Sequence, residues 1–140
     1  MEQSFQSFLS TYLDAWKASS LEDLKGFISR EYNGREISGG DIVDYGYEES
    51  IMGWEQGFHY VKENNAQWKV DVCSVIPLRN DETMVILRAA LIIKGKCSET
   101  SNLFFDTFKR NEQKDWELIR SYAEAGVPNS YLNQAELTHR

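Results

Sequence analysis

Two aspartates just before a predicted helix hold the position best suited to chemistry. Asp41 and Asp44 lie in the segment GGDIVDYGYEE, directly ahead of a helical pattern that begins near Glu48. The positive N-terminal end of that helix would keep the carboxylate of Asp44 ionised. An ionised carboxylate beside an apolar pocket could abstract a proton, or it could simply cap the helix. Both roles stay open at this point.

Other catalytic constellations are missing from the sequence. It contains no GxGxxG, P-loop, GxSxG or HExxH motif. Cys73 and Cys97 have no histidine at catalytic spacing, so we expect buried, inert thiols. His59 falls one residue beyond the apolar stripe of its predicted helix, so we interpret it as a surface residue. We therefore expect no metal site and no cofactor.

Helical periodicity dominates the first part of the chain. Apolar residues at helical spacing predict an aromatic first helix from Phe5 to Trp16, and a second helix should follow the serines at 19 and 20 and stop by Arg30. A short strand is expected at 31–38. A third apolar stripe predicts a helix that ends near residues 64–65. Two glycines one turn apart in that helix, at 53 and 57, indicate that something packs closely there.

From residue 66 onward the pattern changes to alternation. It predicts long strands at 66–76, 84–94, 99–110 and 116–125, with Pro77 ending the first. The fold class is therefore α+β, with three N-terminal helices packed on a strongly bent antiparallel sheet that encloses a pocket. We assign residues 1–126 to one domain and 127–140 to a C-terminal tail with at most one helical turn.

Three stretches of the sequence resemble a known superfamily. They are TYLDAWKASSLEDLKGFIS, YGYEESIMGWEQGF and the closing hairpin FKRNEQKDWELIRSY, and together they span residues 5–125. This order of elements resembles the nuclear-transport-factor-2-like superfamily, and within it the SnoaL-like and ketosteroid-isomerase-like small bacterial proteins. The resemblance implies a cone-shaped fold with a cavity at its wide end and a homodimer formed through the outer sheet face. Members include isomerases, dehydratases and cyclases as well as binding proteins.

The ketosteroid isomerases use a carboxylate base before the third helix, opposite a tyrosine and a protonated carboxylic acid. The resemblance therefore implies Asp41 or Asp44 as the base. Asp106 is the aspartate within the later strands, and we expect it to form an ordinary cross-strand ion pair with Arg88 or Arg120.

Two other activities of the superfamily are disfavoured by the residues present. Its epoxide hydrolases need an R-x-D pair within a strand, and the R-x-D of this chain (Arg79 to Asp81) falls on a turn. Members with inward histidines on the last strand carry them where Arg120 and Tyr122 stand here. The lack of a recognisable dyad favours a protein that is not an enzyme.

Aromatic residues from separate elements should converge in such a cone. They could fill a core, or several could line a pocket for a flat apolar ligand that a tyrosine hydroxyl orients. From the phase of the helices and strands we predict the residues that bind the ligand, which are Tyr12, Trp16, Trp54, Phe58, Phe104 and Tyr122. If the protein is an enzyme, we expect its catalytic residues to be Asp44, Asp41 and Tyr122.

Composition narrows the class of partner. The chain has 140 residues and a net charge of −7, with a sequence pI near 4.8. Such an acidic chain does not favour nucleic acids or anionic membranes. No signal peptide or membrane span is visible, so we predict a cytoplasmic protein. The leading hypothesis is a protein that binds a small apolar or aromatic molecule in its cone; the alternatives are an isomerase, dehydratase or cyclase with a carboxylate base, and a dimeric interaction module.

Overall fold

A computed structural model describes residues 3–137 of the chain. In chain order the elements are helices α1 (Phe5–Lys17) and α2 (Leu21–Lys25), strands β1 (Ile28–Ser38) and β2 (Asp41–Tyr45), helix α3 (Tyr47–Glu63), strands β3 (Gln67–Arg79), β4 (Glu82–Ile93), β5 (Lys96–Cys97), β6 (Thr100–Arg110) and β7 (Trp116–Pro128), and helix α4 (Asn129–Leu137). The α+β class is confirmed: helices pack against a large curved sheet.

The first two helices are defined by serine caps. The side chain of Ser4 accepts a hydrogen bond from the backbone N–H of Ser7 at 3.1 Å, and Ser20 caps α2 in the same way. Helix α2 ends at Lys25, earlier than the predicted limit of Arg30. The reason is tertiary: the carbonyl of Phe27 already accepts a hydrogen bond from the backbone N–H of Leu118 on β7, which draws the chain into the sheet.

The sheet is mixed, and this corrects the expectation of antiparallel pairing throughout. Its strand order is β2-β1-β7-β6-β4-β3, with β5 beside β4. Strands β3, β4, β6 and β7 form the predicted antiparallel array, but β1 pairs with β7 in parallel. Periodicity identifies strands without identifying their neighbours, and the parallel pair joins the first strand to the last large one.

A hairpin replaces the single short strand predicted at 31–38. Strand β1 turns at Gly39 and Gly40, whose φ angles of 59° and 88° lie in the left-handed region that glycine tolerates best. The chain returns antiparallel as β2, with Ser38 opposite Asp41 and Arg35 opposite Asp44. The two predicted catalytic aspartates therefore lie on a strand and not in a loop.

The end of the chain is more ordered than the predicted tail. Strand β7 runs through Pro128, and the nine-residue helix α4 follows where one helical turn was expected. Asn129 ties this segment to the sheet: its Nδ2 donates to the carbonyl of Ser98 at 2.8 Å, and its Oδ1 accepts from Ser101 and Arg88. Residues 138–140 lie outside the described residues, and the domain boundary at 126 remains a prediction.

Aromatic rings on α1 form the centre of the core. Phe8, Tyr12 and Trp16 are each at most 2 % exposed, and the rings of Phe8 and Tyr12 contact Phe108 of β6 at centroid distances of 5.4 and 5.1 Å. This cluster packs α1 against β6.

Cys73 and Cys97 are exposed, which corrects the prediction of buried thiols. Among residues 3–137, no helix is long and apolar enough to cross a membrane. The cytoplasmic location remains a prediction.

Candidate functional site

A cavity of about 760 Å³ opens between α3 and the concave face of the sheet. This size lies within the range of small-molecule sites. Helices α1 and α3 and strands from both halves of the sheet contribute to it. Its aromatic lining consists of Trp16, Tyr32, Tyr45, Trp54, Trp68 and Phe104.

Trp16 organises the aromatic wall of the cavity. Its ring makes edge-to-face contacts with Trp54, Phe104 and Trp68, at centroid distances of 4.9, 5.5 and 5.9 Å. The indole of Trp68 is held in place because its Nε1 donates to the hydroxyl of Ser19 at 3.0 Å. Rings fixed in this way give the cavity a preformed wall.

The two glycines of α3 face this space, which corrects the expectation of close packing. Gly53 and Gly57 both line the cavity. No heavy atom lies within 4 Å of the position that a β-carbon would take at Gly53, and at Gly57 the nearest is a ring atom of Trp68 at 4.0 Å. The missing side chains therefore leave room in the cavity.

Asp106 on β6 is the buried polar group of the cavity. It is 2 % exposed, it forms a side-chain hydrogen bond with Ser121 of β7, and its Oδ1 has no hydrogen-bond partner. Burial raises the pKa of Asp106 to about 7, and the bond to Ser121 only partly offsets that effect. Near neutral pH this carboxyl group therefore exists in both protonation states.

The predicted ion pair of Asp106 is wrong. Asp106 lies opposite Val85 and Ser121, on the concave face. The side chains of Arg88 and Arg120 lie on the opposite, convex face of the sheet. Arg88 Nη2 donates to Asn129 at 3.1 Å, and Arg120 Nη2 donates to Glu82 at 2.8 Å. Alternation along the strands thus separates the acid from both arginines.

Three tyrosines surround the same polar region. The hydroxyl of Tyr32 donates to that of Tyr45 at 3.3 Å, and Tyr32 also hydrogen-bonds Ser121. The hydroxyl of Tyr12 is fully buried and has no partner, as is true of Trp16 Nε1. Burial raises the pKa of all three tyrosines, so they stay protonated at neutral pH.

The predicted ligand-binding residues divide into three groups. Trp16, Trp54 and Phe104 line the cavity. Tyr12 and Phe58 are buried in the core, at 0 % and 3 % exposure, and do not line it. Tyr122 lies on the opposite face of the sheet, where its ring contacts Phe105 at 6.0 Å and its hydroxyl donates to Glu124 at 2.6 Å. The last placement corrects the prediction that it faces the pocket.

The two candidate bases occupy different environments. Asp44 lies at the cavity rim but forms a two-point ion pair with Arg35, Nε–Oδ1 at 2.6 Å and Nη2–Oδ2 at 2.9 Å. This hydrogen bonding to Arg35 lowers the pKa of Asp44. Asp41 is exposed at the start of β2 and does not line the cavity. Neither carboxylate caps α3, whose N-cap is Gly46.

Sequence reasoning missed several residues of the cavity. Tyr32 and Ser121 lie on β1 and β7, whose parallel pairing alternation alone does not indicate. The position of Asp106, by contrast, could have been predicted from the sequence. It lies two residues beyond Phe104, which was predicted to point inward, so the alternation already placed Asp106 on the same face.

Comparisons with known proteins bear on the fold. No family model matches the chain, and no curated protein matches it. Among solved structures, it is similar to a putative calcium/calmodulin-dependent protein kinase type II association domain from Thiobacillus denitrificans, with 17 % identity and a TM-score of 0.67, covering 89 % of this chain and 96 % of that one.

Two further solved structures agree. A nuclear-transport-factor-2-like protein of unknown function from Shewanella oneidensis has 17 % identity and a TM-score of 0.64, with 85 % of this chain and 94 % of that chain covered. A ketosteroid isomerase-like protein from Erwinia carotovora has 12 % identity and a TM-score of 0.57, with 85 % and 91 % covered. At such identities the likeness is one of fold. The chain therefore shares the fold of these nuclear-transport-factor-2-like proteins.

Proposed function

We propose that this protein binds a small, flat, largely apolar molecule in its cone cavity. The observation that carries the proposal is a preformed aromatic wall facing buried polar atoms without partners. Trp16, Trp54 and Phe104 supply the wall, and the rings are held by one another. A flat ligand stacked there would bury apolar area without requiring the protein to rearrange.

The unpartnered polar atoms support a ligand with one polar end. Trp16 Nε1 can only donate, and Asp106 Oδ1 accepts when the carboxyl group is ionised. A buried polar atom left without a hydrogen bond costs about 1–3 kcal/mol. A ligand that supplies a missing partner recovers part of that cost on binding, and its polar end would then be fixed against Trp16 or Asp106.

Binding is favoured over catalysis by a carboxylate base. Asp44, the candidate base at the rim, is engaged at both oxygens by Arg35, and its lowered pKa makes it a weaker base. Using Asp44 to abstract a proton would first require that pair to open. The isomerase, dehydratase and cyclase alternatives that use Asp44 as the base therefore lack a free carboxylate at that position.

The binding proposal is tested with 2-naphthol, which is flat and neutral at pH 7. Isothermal titration calorimetry compares the wild type with Trp54→Ala and with the control Tyr60→Ala, which removes an aromatic ring from the same helix at a residue 50 % exposed to solvent. We expect saturable binding that Trp54→Ala weakens about tenfold and Tyr60→Ala leaves unchanged. Circular dichroism checks that each variant is folded. Equal losses in both variants, or no saturable binding, would contradict the proposal.

We also propose that two copies associate through the convex face of the sheet. Apolar side chains follow one another across that face on neighbouring strands: Ile86 lies opposite Phe105, and Phe105 lies opposite Tyr122. Tyr122 is 41 % exposed, and the other two are only half-buried. An exposed apolar patch of this kind is typical of an interface. The oligomeric state in solution tests this proposal.

A further inference from the structure

We infer that the ligand of the cavity is an organic cation, an amine or quaternary ammonium group on a flat apolar body. This inference rests on the proposed binding function and names its ligand class. The lining residues of the cavity include four carboxylates and, among residues 3–137, no lysine, arginine or histidine; the acids are Glu36, Asp44, Glu49 and Asp106.

Two of these acids are already engaged and two are available. Asp44 is paired with Arg35, and Glu49 Oε1 accepts the backbone N–H of Gly46 at 2.9 Å. Glu36 has no basic partner in the described part of the chain, and neither has Asp106. The available negative charge therefore lies at the half-buried Glu36 and at the deeply buried Asp106.

Asp106 supplies the observation that points to a ligand. A cluster of acids on a surface is usually solvated, but Asp106 lines the cavity, it is 2 % exposed, and its buried Oδ1 has no hydrogen-bond partner. A buried carboxylate is stabilised by a positive charge placed against it. With no basic side chain in the lining, a positive charge that stabilises the ionised form of Asp106 would come from the ligand.

The aromatic wall suits the same ligand. A cation over the face of an indole is attracted by the ring quadrupole, and tryptophan is the strongest partner among the aromatic residues. Trp16, Trp54 and Trp68 contribute three indoles to one cavity. An anionic ligand would meet the negative ring faces and unpaired carboxylates with no compensating charge, so the same geometry selects against it.

The groups that face Asp106 determine how the affinity depends on pH. Tyr12 of α1, Tyr32 of β1, Tyr45 of β2 and Ser121 of β7 surround it, and the tyrosines remain neutral because their pKa values are raised. Asp106 becomes more ionised as the pH rises through about 7. Affinity for a cation should therefore increase between pH 6 and 8, by up to about tenfold.

The test uses two probes of the same shape, phenyltrimethylammonium and its neutral isostere tert-butylbenzene. Their binding is followed by tryptophan fluorescence. We expect the cation to bind at least about tenfold more tightly than the isostere at pH 8. If the isostere binds as well as the cation or better, the charge inference is overturned and the proposed binding function stands. If neither probe binds, both fall.

Charge variants identify the acids responsible. We expect Asp106→Asn and Glu36→Gln each to weaken binding of the cation several-fold, and Asp106→Asn to remove the pH dependence. The control is Glu55→Gln, which makes the same change of charge on the exposed side of α3, outside the cavity lining. Loss of cation affinity in the control equal to that in Glu36→Gln would overturn the inference, because the effect would then come from overall charge.

Discussion

The carboxyl group of Asp106 opposes folding whenever it is ionised. Its pKa is about 7 in the folded chain, against an ordinary value of 3.8, and burial is the main cause. Between these values the folded state binds more protons than the unfolded state, so the stability contributed by this group falls as pH rises from about 4 to about 7. Above that window its contribution is constant.

Replacing Asp106 by asparagine should remove this dependence. Asparagine keeps the shape and has no charge to desolvate, so the variant should gain stability relative to the wild type as the pH increases. From pH 5 to pH 8 we expect the difference in unfolding free energy to grow by roughly 2–3 kcal/mol. Urea denaturation at both pH values measures it. A difference that stays constant with pH would mean that Asp106 titrates normally.

The position of Tyr122 shows how far alternation along a strand can predict which face of the sheet a residue occupies. Phe104 and Tyr122 were both predicted to point inward. Alternation breaks within β7, where Leu118 and Ala123 are both buried although they are an odd number of residues apart. The pairing joins Phe104 to Ala123 and Phe105 to Tyr122, so Tyr122 points to the other face. That register depends on irregularities beside Leu103 and Phe108, which the sequence pattern does not reveal.

Among the elements, the β1–β2 hairpin positions the tyrosine side of the cavity. Gly34 of β1 lies between the rings of Tyr32 and Tyr45. A β-carbon at Gly34 would come within 2.6 Å of the Tyr32 hydroxyl and 2.5 Å of the Tyr45 ring. Here the absence of a side chain allows Tyr45 to hydrogen-bond Tyr32. The hairpin can bring these groups together only with glycine at this position.

Gly34→Ala should therefore destabilise the protein by about 1–3 kcal/mol, because the added methyl group must displace a packed ring. Gly53→Ala is the control, since no heavy atom lies within 4 Å of the position its β-carbon would take. Urea denaturation compares the two variants. If Gly34→Ala is no more costly than Gly53→Ala, the tyrosine pair is not tightly packed around Gly34.

The elements also show where sequence reasoning succeeds. The aromatic stripe of α1 and the alternation of β4 and β6 are local patterns, and they predicted those elements well. Strand β2 and the parallel partner of β1 were missed because both are defined by contacts between residues distant in the chain. The fold class survived these errors, since it depends on the order of helices and strands more than on which strands pair.

At the scale of the whole molecule, the convex sheet face should hold two copies together. Light scattering should report about twice the 16.2 kDa of one chain. Phe105→Lys places a charge in the centre of the apolar patch and should yield single chains, whereas Tyr131→Lys, at an exposed position on α4, should not. A wild-type mass of one chain at every accessible concentration would reject the dimer.

Filling the cavity from α3 tests whether it is the binding site. Gly53→Leu introduces a side chain into the cavity, at a position with no heavy atom within 4 Å of its β-carbon. Because it also replaces a glycine within a helix, we expect the free energy of unfolding to rise by about 0.5–1 kcal/mol. The control Glu55→Leu adds the same side chain on the exposed side of the helix.

The decisive measurement is the affinity for 2-naphthol by isothermal titration calorimetry. The account predicts a loss of at least about tenfold in Gly53→Leu, in a protein more stable than the wild type, and no loss in Glu55→Leu. Undiminished binding by Gly53→Leu would show that the ligand is held elsewhere and would contradict the account.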